Sequence, residues 1–201
     1  MPRVVDHAER RQQLADALWR VVRRDGFERV SVRTVAAEAG TSPGALRHYF
    51  ATQAELAAFA LQALFDRAIV RMEAALPGLT GIEAAAAVLE QYLPVDDDRR
   101  DEFSVYLALV TRPHLDGPLR EVRETAEDRS RHGIAIAVGL LADAGGLHPD
   151  RDADTETARL YPLVDGLCLH GHLWPDRYPA DHLRGVLLAH LRSLQTAPVD
   201  V

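Results

Sequence analysis

The stretch Ser31–Phe50, SVRTVAAEAGTSPGALRHYF, decides the fold of the first part of this 201-residue chain. Ser31 stands where an N-cap is expected, and Gly40 stands where a helix can end in the left-handed conformation. Ser42 is suited to cap the next helix, and Pro43 occupies that helix's first position. The stretch therefore predicts two short helices joined by a tight turn, which is the spacing of a helix-turn-helix unit.

The polar residues of this unit are suited to double-stranded DNA. The second helix of such a unit enters the major groove, where each base pair presents a distinguishable pattern of donors and acceptors. Gly44 and Ala45 are small enough to let the helix approach the base edges closely, and Arg47 is suited either to a guanine edge or to a phosphate. The residues predicted to contact DNA are Arg33, Thr34, Ser42, Pro43, Gly44, Ala45, Arg47, His48 and Tyr49.

The rest of the chain also has apolar residues at helical spacing, and no stretch alternates with period two for long enough to form a strand. The predicted fold class is all-α, with a three-helix domain over residues 1–51 and a larger helical bundle over residues 52–201. About nine helices are expected, over residues 6–24, 31–40, 42–50, 52–76, 80–92, 96–112, 118–144, 155–173 and 180–195. Leu18, Trp19 and Phe27 are expected in the core of the first domain.

The charge changes sign along the chain. A net charge of −7 argues against a polyanion as the partner of the whole chain, because binding to nucleic acid depends on neutralising phosphates. Residues 1–55, however, hold nine Arg against seven Asp or Glu, whereas the remainder holds fourteen Arg against twenty-three acidic residues. The imbalance indicates two parts with different partners.

Several classes of protein are disfavoured by what the sequence lacks. A single cysteine, Cys168, excludes an internal disulfide framework and suits a reducing compartment. No apolar stretch is long enough to cross a bilayer and no signal segment opens the chain, so a cytoplasmic protein without a membrane partner is expected. The absence of a glycine-rich phosphate loop and of a G-x-S-x-G motif argues against an enzyme, and no cofactor is indicated.

A metal site is suggested by four side chains suited to zinc or copper: Cys168, His170, His172 and His182. Residues two apart lie about 200° around a helix axis, so the first three cannot converge from one intact helix. We therefore predict no metal site. Histidines at a dimer interface or in solvent are the preferred interpretation, and Cys168 is expected to be inert packing.

Residues 14–56 resemble the N-terminal DNA-binding domain of the TetR family of bacterial transcriptional regulators. Arg47 stands where the family usually has an aromatic phosphate contact, and Gln53 stands where it usually has a lysine. These departures concern the map of DNA contacts. The positions that carry the resemblance are Leu14, Ala17, Gly26, Phe27, Ser31, Val32, Val35, Ala36, Ala39, Gly40, Ser42, Gly44, Leu46, Tyr49, Phe50 and Leu56.

The resemblance implies a C-terminal helical domain that binds a small molecule and dimerises through its last two helices, here residues 155–173 and 180–195. The segment VDGLCLHGHL at 164–173 resembles the subgroup with BetI-like C-terminal domains. The leucines of the last helix also cover a wider arc than one intramolecular contact needs. The predicted dimer interface comprises Leu167, Leu183, Val186, Leu187, His190, Leu191 and Leu194.

The function predicted from these features is that of a homodimeric repressor, released from a near-palindromic operator by a small-molecule effector. The alternative is a helical interaction or ligand-binding module that no longer binds DNA, which the acidic total and Gln53 would favour. The acidic residues at 96–102 are interpreted as a solvated helix start, with repulsion of DNA or preference for a cationic effector as alternatives.

A pocket for the effector is expected inside the C-terminal helices. Its predicted lining consists of Phe59, Phe103, Tyr106, Leu107, Val110, Ile134, Tyr161 and Val164. Helical spacing would equally place these side chains in the ordinary core of a bundle, and the sequence leaves the two interpretations open.

Overall fold

A computed structural model of the chain describes residues 7–111 and 117–195. Within these ranges the chain forms nine α-helices and no strand, which confirms the all-α fold class. No helix in these ranges is long and apolar enough to cross a bilayer. The helices are α1 (His7–Asp25), α2 (Val32–Glu38), α3 (Pro43–Leu46), α4 (Gln53–Ala75), α5 (Gly81–Glu90), α6 (Asp97–Val110), α7 (Pro118–Asp143), α8 (Ala153–Leu173) and α9 (Ala180–Ser193).

Two local features differ from the predicted elements. A 3-10 turn over Phe27–Arg29 precedes α2, opened by Gly26 at a φ of 79°. The third helix ends at Leu46 and not near Phe50, because the backbone N–H groups of His48 and Tyr49 bond three residues back and tighten the chain into turns. The predicted start at residue 6 and end at residue 112 lie outside the described residues.

The chain divides into two compact units. Unit 1 consists of Met1–Phe65 and Ser104–Glu124, and unit 2 consists of Asp66–Phe103 and Thr125–Val201. Three helices, α4, α6 and α7, contribute residues to both units. The predicted boundary between residues 51 and 52 stays a prediction.

The core of unit 1 is built on one face of α1. Leu14, Ala17, Leu18 and Val21 recur at three- and four-residue spacing, and all four are fully buried. Helix α1 packs against α2, and α2 packs against α3. Trp19 and Phe27 are also buried, as is Leu18, so the expected core positions of this domain are confirmed.

Unit 2 contains a tight contact between α8 and α9. In this unit α9 packs against both α5 and α8. Gly171 of α8 is buried, and a Cβ added there would meet the Leu183 side chain at 2.6 Å and the Pro94 side chain at 3.0 Å. The missing side chain at Gly171 therefore lets α9 approach α8 closely.

Gly171→Ala should destabilise the fold by about 1–3 kcal/mol, because the added methyl overpacks the contact with Leu183. Gly139→Ala in α7 is the matched control, since a Cβ there would meet nothing within 4 Å. The control should gain about 0.5–1 kcal/mol through the higher helix propensity of alanine. Urea unfolding followed by circular dichroism measures both changes, and equal stabilities of the two variants would contradict the packing described.

Candidate nucleic-acid interface

Helix α2 begins at a reciprocal cap formed by Ser31 and Thr34. The Thr34 backbone N–H donates to Ser31 Oγ at 3.2 Å, and the Ser31 backbone N–H donates to Thr34 Oγ1 at 2.9 Å. The Thr34 hydroxyl lies 2.8 Å from the carbonyl oxygen of Arg29, to which it donates. The only hydroxyl proton of Thr34 is thus engaged within the fold, and the structure gives Thr34 a role in capping the helix.

The turn between α2 and α3 is held by backbone geometry. Gly40 has a φ of 63°, a conformation that glycine adopts without steric penalty. The N–H groups of Gly40 and Thr41 donate to the carbonyls of Ala37 and Ala36, at 3.3 and 2.9 Å. This is the Schellman arrangement that closes a helix end. The turn predicted at Gly40 is therefore present.

Helix α3 is capped by Ser42, whose Oγ accepts the backbone N–H of Ala45 at 3.0 Å. Its buried residue is Leu46, and Phe50 just beyond the helix is also buried. The ring of Phe50 contacts the ring of Phe59 in α4, with centroids 4.8 Å apart. Short as it is, the segment is held by a cap at one end and an aromatic contact at the other.

The predicted contact residues of the α3 segment all lie on its exposed side. Tyr49 is 38% exposed. The exposed set consists of Ser42, Pro43, Gly44, Ala45, Arg47, His48 and Tyr49. Arg33 of α2 is exposed as well, whereas Thr34 is half-buried. The exposed residues of the two capped helices thus include small side chains and the guanidinium groups of Arg33 and Arg47.

The residues predicted for the effector pocket are divided between the units. Phe59, Tyr106, Leu107 and Val110 belong to unit 1, and Phe103, Ile134, Tyr161 and Val164 belong to unit 2. In unit 1, Phe59 is buried against Phe50, and the Arg11 guanidinium lies 5.7 Å from the centre of its ring. In unit 2, Phe103 contacts the His172 ring, and Ile134 and Val164 are buried. A pocket lined by these residues stays a prediction.

Four leucines of the predicted dimer interface, three in α9 and one directly after it, are buried inside the chain itself. Leu183, Leu187, Leu191 and Leu194 are each at most 2% exposed. Because α9 packs against α5 and α8 of its own chain, these leucines need no second copy to be covered. The wide arc of leucines therefore gives no argument for a dimer at these four residues, and the interface stays a prediction.

The remaining members of the predicted interface are Leu167, Val186 and His190, and each is half-buried. Larger apolar surface lies nearby on α8 and just after it. Leu169 is 37% exposed, Leu173 is 49% exposed and Trp174 is 51% exposed. These three side chains, which are not among the predicted interface residues, offer more surface to a partner than the buried leucines of that interface.

The cysteine and histidines of α8 lie in separate surroundings. Cys168 is buried, and its thiol donates to the Tyr92 carbonyl oxygen at 3.2 Å. Burial strongly raises the pKa of this thiol, which disfavours the reactive thiolate. His170 packs against the rings of Trp174 and Tyr178. In the part of the chain that the structure describes, no three His, Cys, Asp or Glu side chains gather as a candidate metal site.

The acidic residues of the predicted solvated helix start are not all exposed. Asp96, Asp97 and Asp98 are exposed as expected, but Glu102 is only 4% exposed. Its carboxylate accepts hydrogen bonds from Arg67 Nε at 2.8 Å and from Arg71 Nη2 at 2.6 Å. The interpretation of Glu102 as a solvated acid is therefore wrong, because a buried carboxylate needs such partners.

Two carboxylates and a tyrosine on α7 and α8 lie close enough to interact. The Tyr161 hydroxyl donates to Glu127 Oε2 at 2.8 Å. Asp165 keeps part of its surface in water, yet partial burial raises its pKa to about 6, and the negative charge of Glu127 adds to the shift. Tyr161 and Asp165 lie 34 or more positions after Glu127 along the chain, so no local pattern in the sequence indicates this acidic group.

Asp165→Asn should stabilise the protein at pH 8 and have a smaller effect near pH 4.5. The raised pKa means that the folded state favours protonated Asp165. The stability that protonated Asp165 contributes to the fold is therefore fully present below the ordinary aspartate pKa and is lost as the pH rises through about 6. Thermal unfolding at both pH values measures the difference. Asp176→Asn in the exposed loop before α9 is the control, and an equal gain in both variants at pH 8 would contradict the assignment.

Comparisons with known proteins match both parts of the chain. The family model described as bacterial regulatory proteins, tetR family, matches residues 14–59. The model described as BetI-type transcriptional repressor, C-terminal, matches residues 81–196. The HTH-type transcriptional regulator PksA of Bacillus subtilis (strain 168) is 35% identical over 195 residues, which cover 96% of this chain and 94% of PksA.

Solved structures with the same fold include proteins bound to small molecules. A putative transcriptional regulator from Saccharomonospora viridis in complex with choline is 28% identical, with a TM-score of 0.76, covering 93% of this chain and 97% of that chain. The multidrug binding protein EbrR complexed with ethidium is 31% identical, with a TM-score of 0.63, covering 90% and 98%. The chain belongs to the TetR family of bacterial DNA-binding transcriptional regulators and carries a BetI-type C-terminal domain.

Proposed function

We propose that the chain is a homodimeric repressor that acts in the cytoplasm and leaves a near-palindromic operator when a small organic cation binds to its C-terminal domain. The observation that carries the DNA-binding half of this proposal is the exposed surface of the α2–α3 segment. There Ser42, Gly44, Ala45 and Arg47 lie together on the outside of a capped helix. Residues of these types at the start of a recognition helix are suited to the major groove.

The proposed effector class rests on two relatives and on one group of side chains. The Saccharomonospora viridis regulator was solved with choline and EbrR with ethidium, and both ligands are organic cations. In unit 2 the aromatic ring of Tyr161 adjoins the carboxylate of Glu127, with Asp165 close enough for their charges to interact. An aromatic face beside negative charge is the chemistry that binds quaternary ammonium groups.

Tyr161 was among the residues predicted for the effector pocket, and we propose that it lines the site together with Phe103, Ile134 and Val164 of the same unit. Phe59 and the other unit 1 members of that prediction are given no role in this proposal. Phe59 already has a structural role, since it packs against Phe50 beside the proposed DNA surface.

Release from DNA would follow from a shift between two conformations. If the cation binds more tightly to the conformation that does not fit the operator, it lowers the affinity for DNA, and DNA lowers the affinity for the cation by the same factor. The dimer supplies the two recognition segments that a near-palindrome requires. Leu169, Leu173 and Trp174 are the exposed apolar side chains that we propose for contact between the chains, with half-buried Leu167 and Val186 beside them.

Choline should weaken binding of the protein to a duplex selected from a random-sequence library. The expected loss of affinity is about 5-fold or more, which is the lower end of typical allosteric coupling. Fluorescence anisotropy of the labelled duplex measures the affinity, and sedimentation of the complex should give two chains per duplex. Choline serves better than ethidium here, because ethidium intercalates between the base pairs.

The neutral isostere 3,3-dimethylbutanol is the matched control for charge, and it should leave DNA binding unchanged. The Glu127→Gln variant should bind choline less tightly while keeping its affinity for the duplex. If choline binds the free protein by calorimetry but leaves DNA binding unaltered, the proposed release mechanism is refuted. If choline and its neutral isostere weaken DNA binding equally, the proposal that the effector is a cation is refuted.

A further inference from the structure

Two groups of arginines in unit 1 differ in their partners. In the first group, Arg20 Nε and Arg24 Nη1 each lie 2.7 Å from a carboxylate oxygen of Glu38. Arg24 also pairs with Asp25 at 2.9 Å. These hydrogen bonds lower the pKa of Glu38, so the acid remains ionised and offsets the positive charge at the end of α1.

The second group consists of Arg29, Arg33 and Arg47. All three are exposed, and within residues 7–111 and 117–195 none of their guanidinium groups has an ion pair or a hydrogen bond. Glu28, the acidic neighbour of Arg29, forms no ion pair with it. Three full positive charges are therefore available to an external anion, whereas the charges of Arg20 and Arg24 are already compensated.

Arg29 differs from a mobile surface arginine because its backbone is fixed. Its carbonyl oxygen accepts the Thr34 hydroxyl at 2.8 Å, and its N–H donates to the Gly26 carbonyl oxygen at 3.2 Å. Phe27 and Val30 on either side are buried. The side chain consequently leaves the protein from a defined point, tied through Thr34 to the first turn of α2.

The position of Arg29 fits a phosphate more closely than a base. In a helix-turn-helix unit the first helix crosses the DNA backbone, while the second reads the bases. Arg29 stands directly before the first helix, two residues ahead of its Ser31 cap. A guanidinium group presents its donors in a planar fork that matches phosphate oxygens.

We propose that Arg29 is a phosphate contact of the DNA-bound protein, beside Arg33 at the start of α2, and that the compensated arginines of α1 contribute no such contact. This inference rests on the proposed DNA-binding function of the α2–α3 segment. It adds a residue that the sequence pattern did not indicate, because only the ion pairs of the folded chain distinguish Arg29 from Arg20 and Arg24.

The test compares the salt dependence of DNA binding for the wild-type protein, Arg29→Ala and Arg24→Ala. Each protein is titrated against the selected duplex and an unrelated duplex from 50 to 300 mM salt, ~6 concentrations in all. Losing one phosphate contact per chain should reduce the slope of log K against log salt by about 0.9, or about 1.8 for a dimer on DNA. Arg29→Ala should show this reduction and weaken binding to both duplexes alike.

Arg24→Ala should retain the wild-type slope, and Arg29→Lys should restore it, since counterion release depends on charge and not on the guanidinium fork. Arg47→Ala provides a comparison from the recognition segment. Circular dichroism confirms that each variant folds, and the backbone hydrogen bonds of residue 29 do not need its side chain.

An unchanged slope for Arg29→Ala would overturn the proposal, and so would a loss confined to the selected duplex, which would indicate contact with a base. Equal reductions for Arg29→Ala and Arg24→Ala would also overturn it, because the effect would then reflect total charge. A wild-type protein that binds no duplex would instead refute the proposed function itself, and with it this inference.

Discussion

Helices of seven and four residues cannot persist in water without outside support, and this constraint governs the candidate DNA surface. The support comes from side chains at the helix ends and from one buried face. Thr34 joins α2 to the preceding turn, Ser42 caps α3, and Phe50 packs against Phe59 of α4. Because buried contacts use one side of each helix, the other side is left to present small and basic residues to a partner.

Charged side chains likewise either stabilise the fold or remain available at the exposed surface. A net charge of −7 would repel DNA if it were spread evenly. Unit 1, however, pairs Arg20 and Arg24 with carboxylates, whereas Arg29, Arg33 and Arg47 have no ion pair among the described residues. In unit 2 the buried Glu102 ties Arg67 and Arg71, so arginine there contributes to the fold. Under the proposed function, the arginines that no carboxylate holds are the ones available to DNA.

The helix ends were largely predictable from the sequence, because Ser31, Ser42 and Gly40 act through bonds to residues a few positions away. The end of α3 was not, since a tightened turn leaves the same apolar spacing as a helix. Apolar spacing also identifies which face is buried without identifying what covers it. The α9 leucines were assigned to a second chain for that reason, although their own chain covers them.

Contacts between distant residues were the other limit of prediction. The burial of Glu102 depends on arginines more than 30 positions earlier, and the hydrogen bond between Tyr161 and Glu127 joins residues 34 positions apart. By contrast, the exposed surface of the α3 segment followed from local spacing alone. The candidate DNA surface could therefore be predicted more completely than the effector site.

The most direct test of the account is to tether a DNA-cleaving iron chelate to the α3 segment in the protein–duplex complex. The only cysteine, Cys168, is buried, so Ala45→Cys gives one reactive thiol on the exposed side of α3. We expect cutting of the DNA backbone within each half-site, and none from the same chelate at Ala135→Cys in α7, another exposed alanine. Cleavage no greater from residue 45 than from residue 135 would contradict the claim that this segment reads DNA.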